Sequence, residues 1–276
     1  MEKLSRRDIL KRAFFASAGL LFLDAVIEPR SLALRRVEFS LPNLPPSFDG
    51  YKIGILSDIH YPRAIKKAFI RSACQLLMET DPDVVVIPGD FVDGKHISKV
   101  PSLTGLFDDL TPPDGVFGVL GNHDHWLDEE GSRRALAEDT PVQLIENQHV
   151  LLEREGDVLA LGGVGDLWEG IVDPASGFEG VEDGVPRILL SHNPDLAEEA
   201  EGVQIDLQIS GHTHGEEVAT PWGAAPFIPS NYGNKFRYGF NQGKSHMCFT
   251  TSGITSPRRV RLFCRPEVVC LTLKSG

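Results

Sequence analysis

The sequence predicts an α/β domain with two β-sheets and flanking helices, and three observations predict it. Up to about residue 140, apolar runs of strand length alternate with stretches whose apolar residues recur at helical spacing, the pattern of layered α/β folds. Beyond residue 141, short β-like runs dominate and call for a second sheet. The chain has 276 residues, 41% of them hydrophobic, enough for one substantial packed domain, and it shows no internal period of a solenoid.

Each element follows from its local pattern. Residues 34–50, which contain LPNLPPSFDG, form a proline-rich lead-in expected to run extended over the surface of a domain spanning 51–276. Residues 51–56 (YKIGIL) read as the first strand, and 64–79 as a helix with Ile65, Ala68, Phe69, Ala73, Leu76 and Leu77 on one face. VVVIP, residues 84–88, is a near-continuous apolar run of the kind buried on both faces. A helix is expected over 98–110, a buried strand in GVFGVLG, and a further helix over 129–138. The second half predicts strands at 142–145, 150–153, 158–162, 187–190 and 205–209, with further runs near 217–220, 246–250 and 258–273. A short helix is expected near 194–200, and an acidic, glycine-bearing surface loop with some helix between 166 and 184.

The first 33 residues differ from the rest. A basic opening, MEKLSRRDILKR, precedes an apolar run whose uninterrupted part is about ten residues, too short for a comfortable membrane span. That order reads as an export signal. Ser5-Arg6-Arg7-Asp8-Ile9-Leu10-Lys11 resembles the twin-arginine signal, which implies passage of a folded protein through the twin-arginine machinery to the periplasm or the outer face of the membrane. Left uncleaved, the segment would serve as a membrane tether. Of the four cysteines, Cys74 reads as a buried small apolar residue, and Cys248, Cys264 and Cys270 could include one bridge in an oxidising compartment. A formal net charge of −12 excludes a nonspecific nucleic-acid binder, because no net positive field attracts phosphates. Any phosphate-bearing substrate needs a local device.

Such a device is written at the strand ends. The expected strands run into Asp58 and His60, into Asp90, into Asn122, into His192, and into His212 and His214. Sheets of this class place their sites beyond the carboxyl ends of strands. Each residue alone suits a turn or a cap; their conjunction at five strand ends does not. Asp58 and His60, two apart on an extended backbone, point the same way and can share an ion; His212 and His214 do likewise unless the glycine-rich turn splays them. Seven oxygen and nitrogen donors are too many for one transition ion and suit two. The absence of thiolates favours Mn²⁺, Zn²⁺ or Fe over softer ions.

DIH, GDFVDG, GNHDHW, SHNP and GHTHG, in this order, resemble the calcineurin-like metallophosphoesterase family from residue 51 to the C-terminus. The export signal, the FDG before the first strand and the FRYG at 236–239 are similar to its small exported bacterial branch. The resemblance implies an α/β fold of the αββα type, a sandwich of two mixed β-sheets flanked by helices. It implies Asp58, His60 and His214 on a first ion, Asp90 bridging both, and Asn122, His192 and His212 completing the second. His123 matches the family's histidine that binds no metal and is expected to act as general acid. Asp93 matches the acidic residue that orients it, with Asp124 a nearby competitor. The implied reaction is in-line attack of a metal-bridging hydroxide on a phosphodiester or pyrophosphate bond of a small-molecule or lipid substrate, placed by its address in the cell envelope. A phosphomonoesterase with the same metals and a catalytically lapsed metal-binding module are the rival readings. His125 and Arg237 are further candidates for substrate contact, and Trp126 for a packed rim. One departure stands out: the branch usually continues GHTHGG, and here Glu216 follows Gly215.

Overall fold

Two six-stranded sheets are stacked on one another, with helices on the outer faces. The structure, a computed structural model, describes residues 7, 19, 25–93, 99–220, 222, 225, 227–255 and 260–276. Apart from Arg7, Gly19 and residues 25–33, the expected export signal lies outside the described residues.

The first sheet contains β1 (Ala33–Leu41), β2 (Lys52–Ile55), β4 (Val84–Pro88), β6 (Val116–Val119), β7 (Val142–Leu144) and β14 (Glu267–Ser275), in the order β1-β14-β2-β4-β6-β7. The second contains β8 (Gln148–Arg154), β9 (Asp157–Gly163), β10 (Arg187–Leu190), β11 (Leu207–Ser210), β12 (Gly239–Gln242) and β13 (Met247–Thr250), in the order β12-β13-β11-β10-β9-β8. Both sheets are mixed: β14 runs antiparallel to β2, and β12 and β8 run antiparallel to their neighbours. Two short strands, β3 (Tyr61–Pro62) and β5 (Val92–Asp93), pair beside the first sheet.

Period-two alternation builds the layers. Val84 and Val86 face the core shared with Ile188, Leu190, Leu207 and Ile209 of the other sheet. Val85 and Ile87 face outward onto Ile70, Ala73, Cys74 and Leu77 of helix α1 (Lys67–Met78). On the far side, Ala160 and Leu189 pack with Phe178, which follows α3 (Pro174–Gly177), and with Leu196 of α4 (Leu196–Glu199). Strands buried on both faces are near-continuously apolar, which is why VVVIP and the ILL of RILL were readable.

Four local differences have physical reasons. No helix is described over 99–110. Leu103, Leu106, Phe107 and Leu110 are buried at helical spacing, but successive turns deliver them, with Leu106 N–H donating to Leu103 and Leu110 N–H to Phe107. Pro101 and the left-handed Gly105 (φ 71°) oppose a continuous helix there. The helix expected over 129–138 begins earlier, as α2 (Asn122–Asp139), and breaks at Asp128, whose φ/ψ of −177°/99° is extended. Part of the expected lead-in is not merely draped: Ala33–Leu41 forms β1 and pairs with β14 along nine residues. All four cysteines are buried and free, so none of the contemplated bridges exists.

A polar network is buried behind the second sheet. His246 Nε2 lies 3.0 Å from Gln208 Oε1, and Gln208 Nε2 donates to Ser210 Oγ at 2.9 Å. Burial pushes His246 down from 6.5 to about 4. The unfolded chain therefore takes up this proton first, and stability present above pH 6.5 is lost as pH falls toward 4. The full effect is about 3 kcal/mol. Denaturant unfolding between pH 7 and 4.5 should show a shallower loss in His246→Gln than in the parent; equal slopes would remove His246 as a cause.

Candidate metal centre

Three neighbouring strands of one sheet and two of the other bring their carboxyl ends together. β2, β4 and β6 run parallel and lead to Asp58 and His60, to Asp90, and to Asn122; β10 and β11 run parallel and lead to His192, and to His212 and His214. Backbone hydrogen bonds stitch the loops: Ile59 and His60 N–H both donate to the Asp90 carbonyl (2.7 and 3.0 Å), and Gly211 N–H donates to that of His192 (3.1 Å). His212 N–H reaches across to Asp58 Oδ1 at 3.0 Å.

Asp90 lies at the meeting point. Its Oδ2 is 3.4 Å from His60 Nε2 and 3.2 Å from His192 Nε2, and its Oδ1 accepts the His123 N–H at 2.9 Å. His214 Nε2 is 3.2 Å from His60 Nε2 and 3.6 Å from Asp58 Oδ1. Asp58, His60, Asp90 and His214 thus bring four ligand atoms within 4.8 Å of one another. On the other side of Asp90, His212 Nδ1 is 3.2 Å from His192 Nε2, and Asn122 is buried against the same cleft. The splayed alternative for His212 and His214 is the one observed. Asp58 and His60 do converge, but through left-handed turns (φ 53° and 50°), not along an extended backbone.

The donor set fits cations. Asp58 Oδ2, Asn122 Oδ1 and His212 Nε2 are buried with no hydrogen-bond partner. Such atoms are costly unless something completes them. Burial drives His60 and His212 well below the ordinary imidazole range, so both stay neutral with a lone pair to give. Burial opposes ionisation of Asp90, but the charge and hydrogen bond of His192 outweigh it and hold the carboxyl well below its usual range. Two further carbonyls set ring direction: His192 Nδ1 donates to Pro88 (2.7 Å) and His214 Nδ1 to Thr255 (3.2 Å), each leaving Nε2 aimed inward. Close approach demands glycine twice beside Asp90. A Cβ on Gly89 (φ 95°) would meet His192 Nδ1 at 2.5 Å, and one on Gly121 would meet Asp90 Oδ1 at 2.3 Å.

His60, Asp93 and His123 form a second group whose ligand atoms lie within 4.8 Å, sharing His60 with the first. His123 Nδ1 is 3.3 Å from Asp93 Oδ1, and Arg63 Nη1 donates to Asp93 Oδ2 at 3.2 Å. Burial favours neutral Asp93, but the hydrogen bond and charge of His123 outweigh it and bring Asp93 to about 2. Burial likewise opposes protonation of His123, yet its bond to Asp93 and the charge of Asp90 leave its pKa raised. Asp124 does not compete for His123; its oxygens accept the Val92 and Gly121 N–H groups at 2.9 Å each. Two weaker expectations are corrected. His125 turns away to Glu129 (Nδ1 to Oε2, 3.2 Å), across the break at Asp128. Arg237 donates to the Gly215 carbonyl and lines a separate cavity with Arg35 and Tyr238. Glu216 is buried at the cleft wall.

Sequence reasoning missed the supports. Arg63 carries no motif signal, and buried Arg261 donates to the carbonyls of Ser252 (2.7 Å) and Cys264 (3.1 Å) and to Thr255, behind His214. A cleft of ≈ 210 Å³ opens over the group, lined among others by Asp90, Asn122, His123, Trp126, Trp168 and Glu217.

Residues 51–216 match the family model of the calcineurin-like phosphoesterases. Phosphodiesterase YaeI of Escherichia coli (strain K12) is 30% identical over 244 residues, covering 88% of this chain and 87% of its own. The metallophosphoesterase YkuE of Bacillus subtilis (strain 168) is 28% identical over 289 residues, 100% of this chain and 99% of its own. UDP-2,3-diacylglucosamine pyrophosphatase LpxG of Chlamydia muridarum (strain MoPn / Nigg) is 27% identical over 300 residues, 88% of this chain and 89% of its own. The chain belongs to the calcineurin-like phosphoesterase family.

The Gly121 contact gives a test. Gly121→Ala should retain its circular dichroism spectrum yet carry half or less of the parent's metal by elemental analysis. Full metal content would mean that Asp90 has more room than the 2.3 Å contact allows.

Proposed function

We propose that this family member is a binuclear metal-dependent hydrolase of phosphodiester or pyrophosphate bonds. The observation that carries the proposal is the buried Asp90 carboxylate faced by His60 on one side and His192 on the other. Asp58, His60, Asp90 and His214 would hold one ion, and Asp90, Asn122, His192 and His212 the other. When bound, two such ions supply a hydroxide nucleophile at neutral pH and neutralise the phosphoryl oxygens. The donor chemistry supports Mn²⁺, Zn²⁺ or Fe.

The chain's own residues do the rest. His123, its Nδ1 turned to Asp93, keeps Nε2 for the cleft and would deliver a proton to the leaving oxygen. Asp93, ionised and anchored by Arg63, favours the protonated form that an acid needs. None of the described residues lining the cleft is lysine or arginine. A dianionic monoester gains from an extra cationic clamp, so this lining supports a singly charged diester or a pyrophosphate linkage. Relatives named as a phosphodiesterase and a pyrophosphatase support the same two bonds.

The address is read from sequence. Residues 1–33 serve as a twin-arginine export signal, and the catalytic domain of 51–276 also takes in strand β1 from the lead-in. Among the described residues, no helix is long and apolar enough to cross a membrane. The substrate then belongs to the cell envelope, as a small molecule or a lipid.

Protein stripped of metal should not hydrolyse bis-p-nitrophenyl phosphate, and Mn²⁺, Zn²⁺ or Fe²⁺ should restore turnover. Faster turnover of p-nitrophenyl phosphate under the same ion would move the assignment to a monoesterase; silence on both, and on pyrophosphates, with two ions bound would support a lapsed module. His123→Ala should lose about 10²–10⁴-fold. The loss should be larger for a phenyl than for a p-nitrophenyl leaving group, since the poorer leaving group needs the proton more. Equal losses would take the acid role from His123.

A further inference from the structure

Two tryptophans stand over the cleft, and neither belongs to the set of metal-binding candidates. Trp126 lies in the first turns of α2, its ring centroid 4.8 Å from that of His123, and its Nε1 donates to Glu169 Oε1 at 2.7 Å. Trp168 comes from the acidic 166–184 loop and sets its ring edge-on to His212 at 4.4 Å. Its backbone N–H and that of Glu169 both donate to Oδ1 of the buried Asp166, at 3.0 and 3.1 Å. The two indoles are close to parallel, 25° apart, with centroids separated by 6.5 Å.

Packing alone does not account for these rings. Each keeps 44% of its surface exposed, although a buried aromatic would bring far more stability than a half-wet one. Both are nevertheless held in place, by a carboxylate at one and by an Asp166-capped turn at the other. Rings fixed before a ligand arrives bind it with little loss of side-chain freedom. Their position is specific as well. A general acid stands on the side where the leaving oxygen departs, and Trp126 adjoins His123. The lining on this side offers aromatic faces together with Glu216 and Glu217, and the described part of it has no lysine or arginine. Such a wall suits a flat, uncharged ring.

We infer that Trp126 and Trp168 form the leaving-group subsite, and that the substrate is a phosphodiester or pyrophosphate whose leaving half presents a flat conjugated ring. This rests on the reading of His123 as general acid. The tryptophans are specificity residues: the ring stacks on them while the ester bond lies against the Asp90 group.

The test uses the chain's three tryptophans. Trp222→Phe leaves Trp126 and Trp168 as the only indoles, so fluorescence reports on the cleft. Zinc-loaded protein is titrated with phenylphosphonate and with methylphosphonate, and bis-p-nitrophenyl phosphate hydrolysis and bound zinc are measured alongside. The phenyl compound should bind about tenfold tighter and perturb the indole emission. The preference should fall toward unity in Trp126→Leu and in Trp168→Leu with zinc retained. Should Trp168→Leu shed zinc through its contact with His212, Trp126→Leu carries the test alone. Equal affinities in the parent, with hydrolysis intact, would overturn the subsite and leave the hydrolase standing. No binding of either compound together with no metal-dependent hydrolysis would overturn both.

Discussion

A carboxylate taken out of water must be surrounded by positive charge, and Asp90 is the carboxylate around which this structure is arranged. It is 1% exposed, and two imidazoles and a backbone N–H meet it. An ion of either sign left unpaired at such a depth costs several kcal/mol. The surroundings concede much to bring partners this close. Asp58, His60, Asp90, His212 and His214 all adopt left-handed backbone, a conformation that costs of order 1–3 kcal/mol for residues with a side chain. Five such residues within one cluster mark a place where binding, not chain preference, sets the backbone. Gly89 and Gly121 belong to the same concession, because no other residue leaves room beside the carboxylate and His192.

The two-sheet architecture follows from that need. One sheet delivers Asp58, His60, Asp90 and Asn122, and the other delivers His192, His212 and His214. Neither sheet alone could enclose the carboxylate. The apolar core shared between them, with Val84 and Val86 against Ile188 and Ile209, fixes the spacing at which the strand ends face each other. Core packing and site geometry are therefore one problem: a shift of one sheet on the other would misplace three histidines relative to one aspartate. The chain's net charge of −12 makes this concentration of cation-binding groups more telling, since attraction for phosphate has to be created at one point.

What the sequence revealed and what it hid divide along physical lines. Strands buried on both faces announce themselves by composition, so VVVIP and RILL were legible. The clustered donors were legible because each follows a strand directly, where the chain has little freedom to carry it elsewhere. The 98–110 segment misled because burial of Leu103, Leu106, Phe107 and Leu110 requires only the spacing, and consecutive turns satisfy that spacing as a helix would. Strand β12, GFNQ, has Phe240 as its one large apolar residue and so shows no strand pattern. Thr255 and Arg261 were invisible for another reason: they act through backbone carbonyls, and carbonyls carry no residue identity. Arg63 and Asp166 act one step removed from the cleft, holding Asp93 and the Trp168 turn, and a long-range partner of that kind leaves no local pattern.

The position of β14 bears on how the protein comes into being. This last strand lies between β1 and β2, so residues 33–41 and 52–55 do not touch each other's edges and wait for residues 267–275. During synthesis the first sheet remains split, with two unsatisfied edges, until residues 267–275 have emerged. Pairings this distant in sequence form slowly, because the intervening loop must close before any contact rewards it. The nascent chain thus has to be kept from pairing its open edges with other chains until β14 arrives.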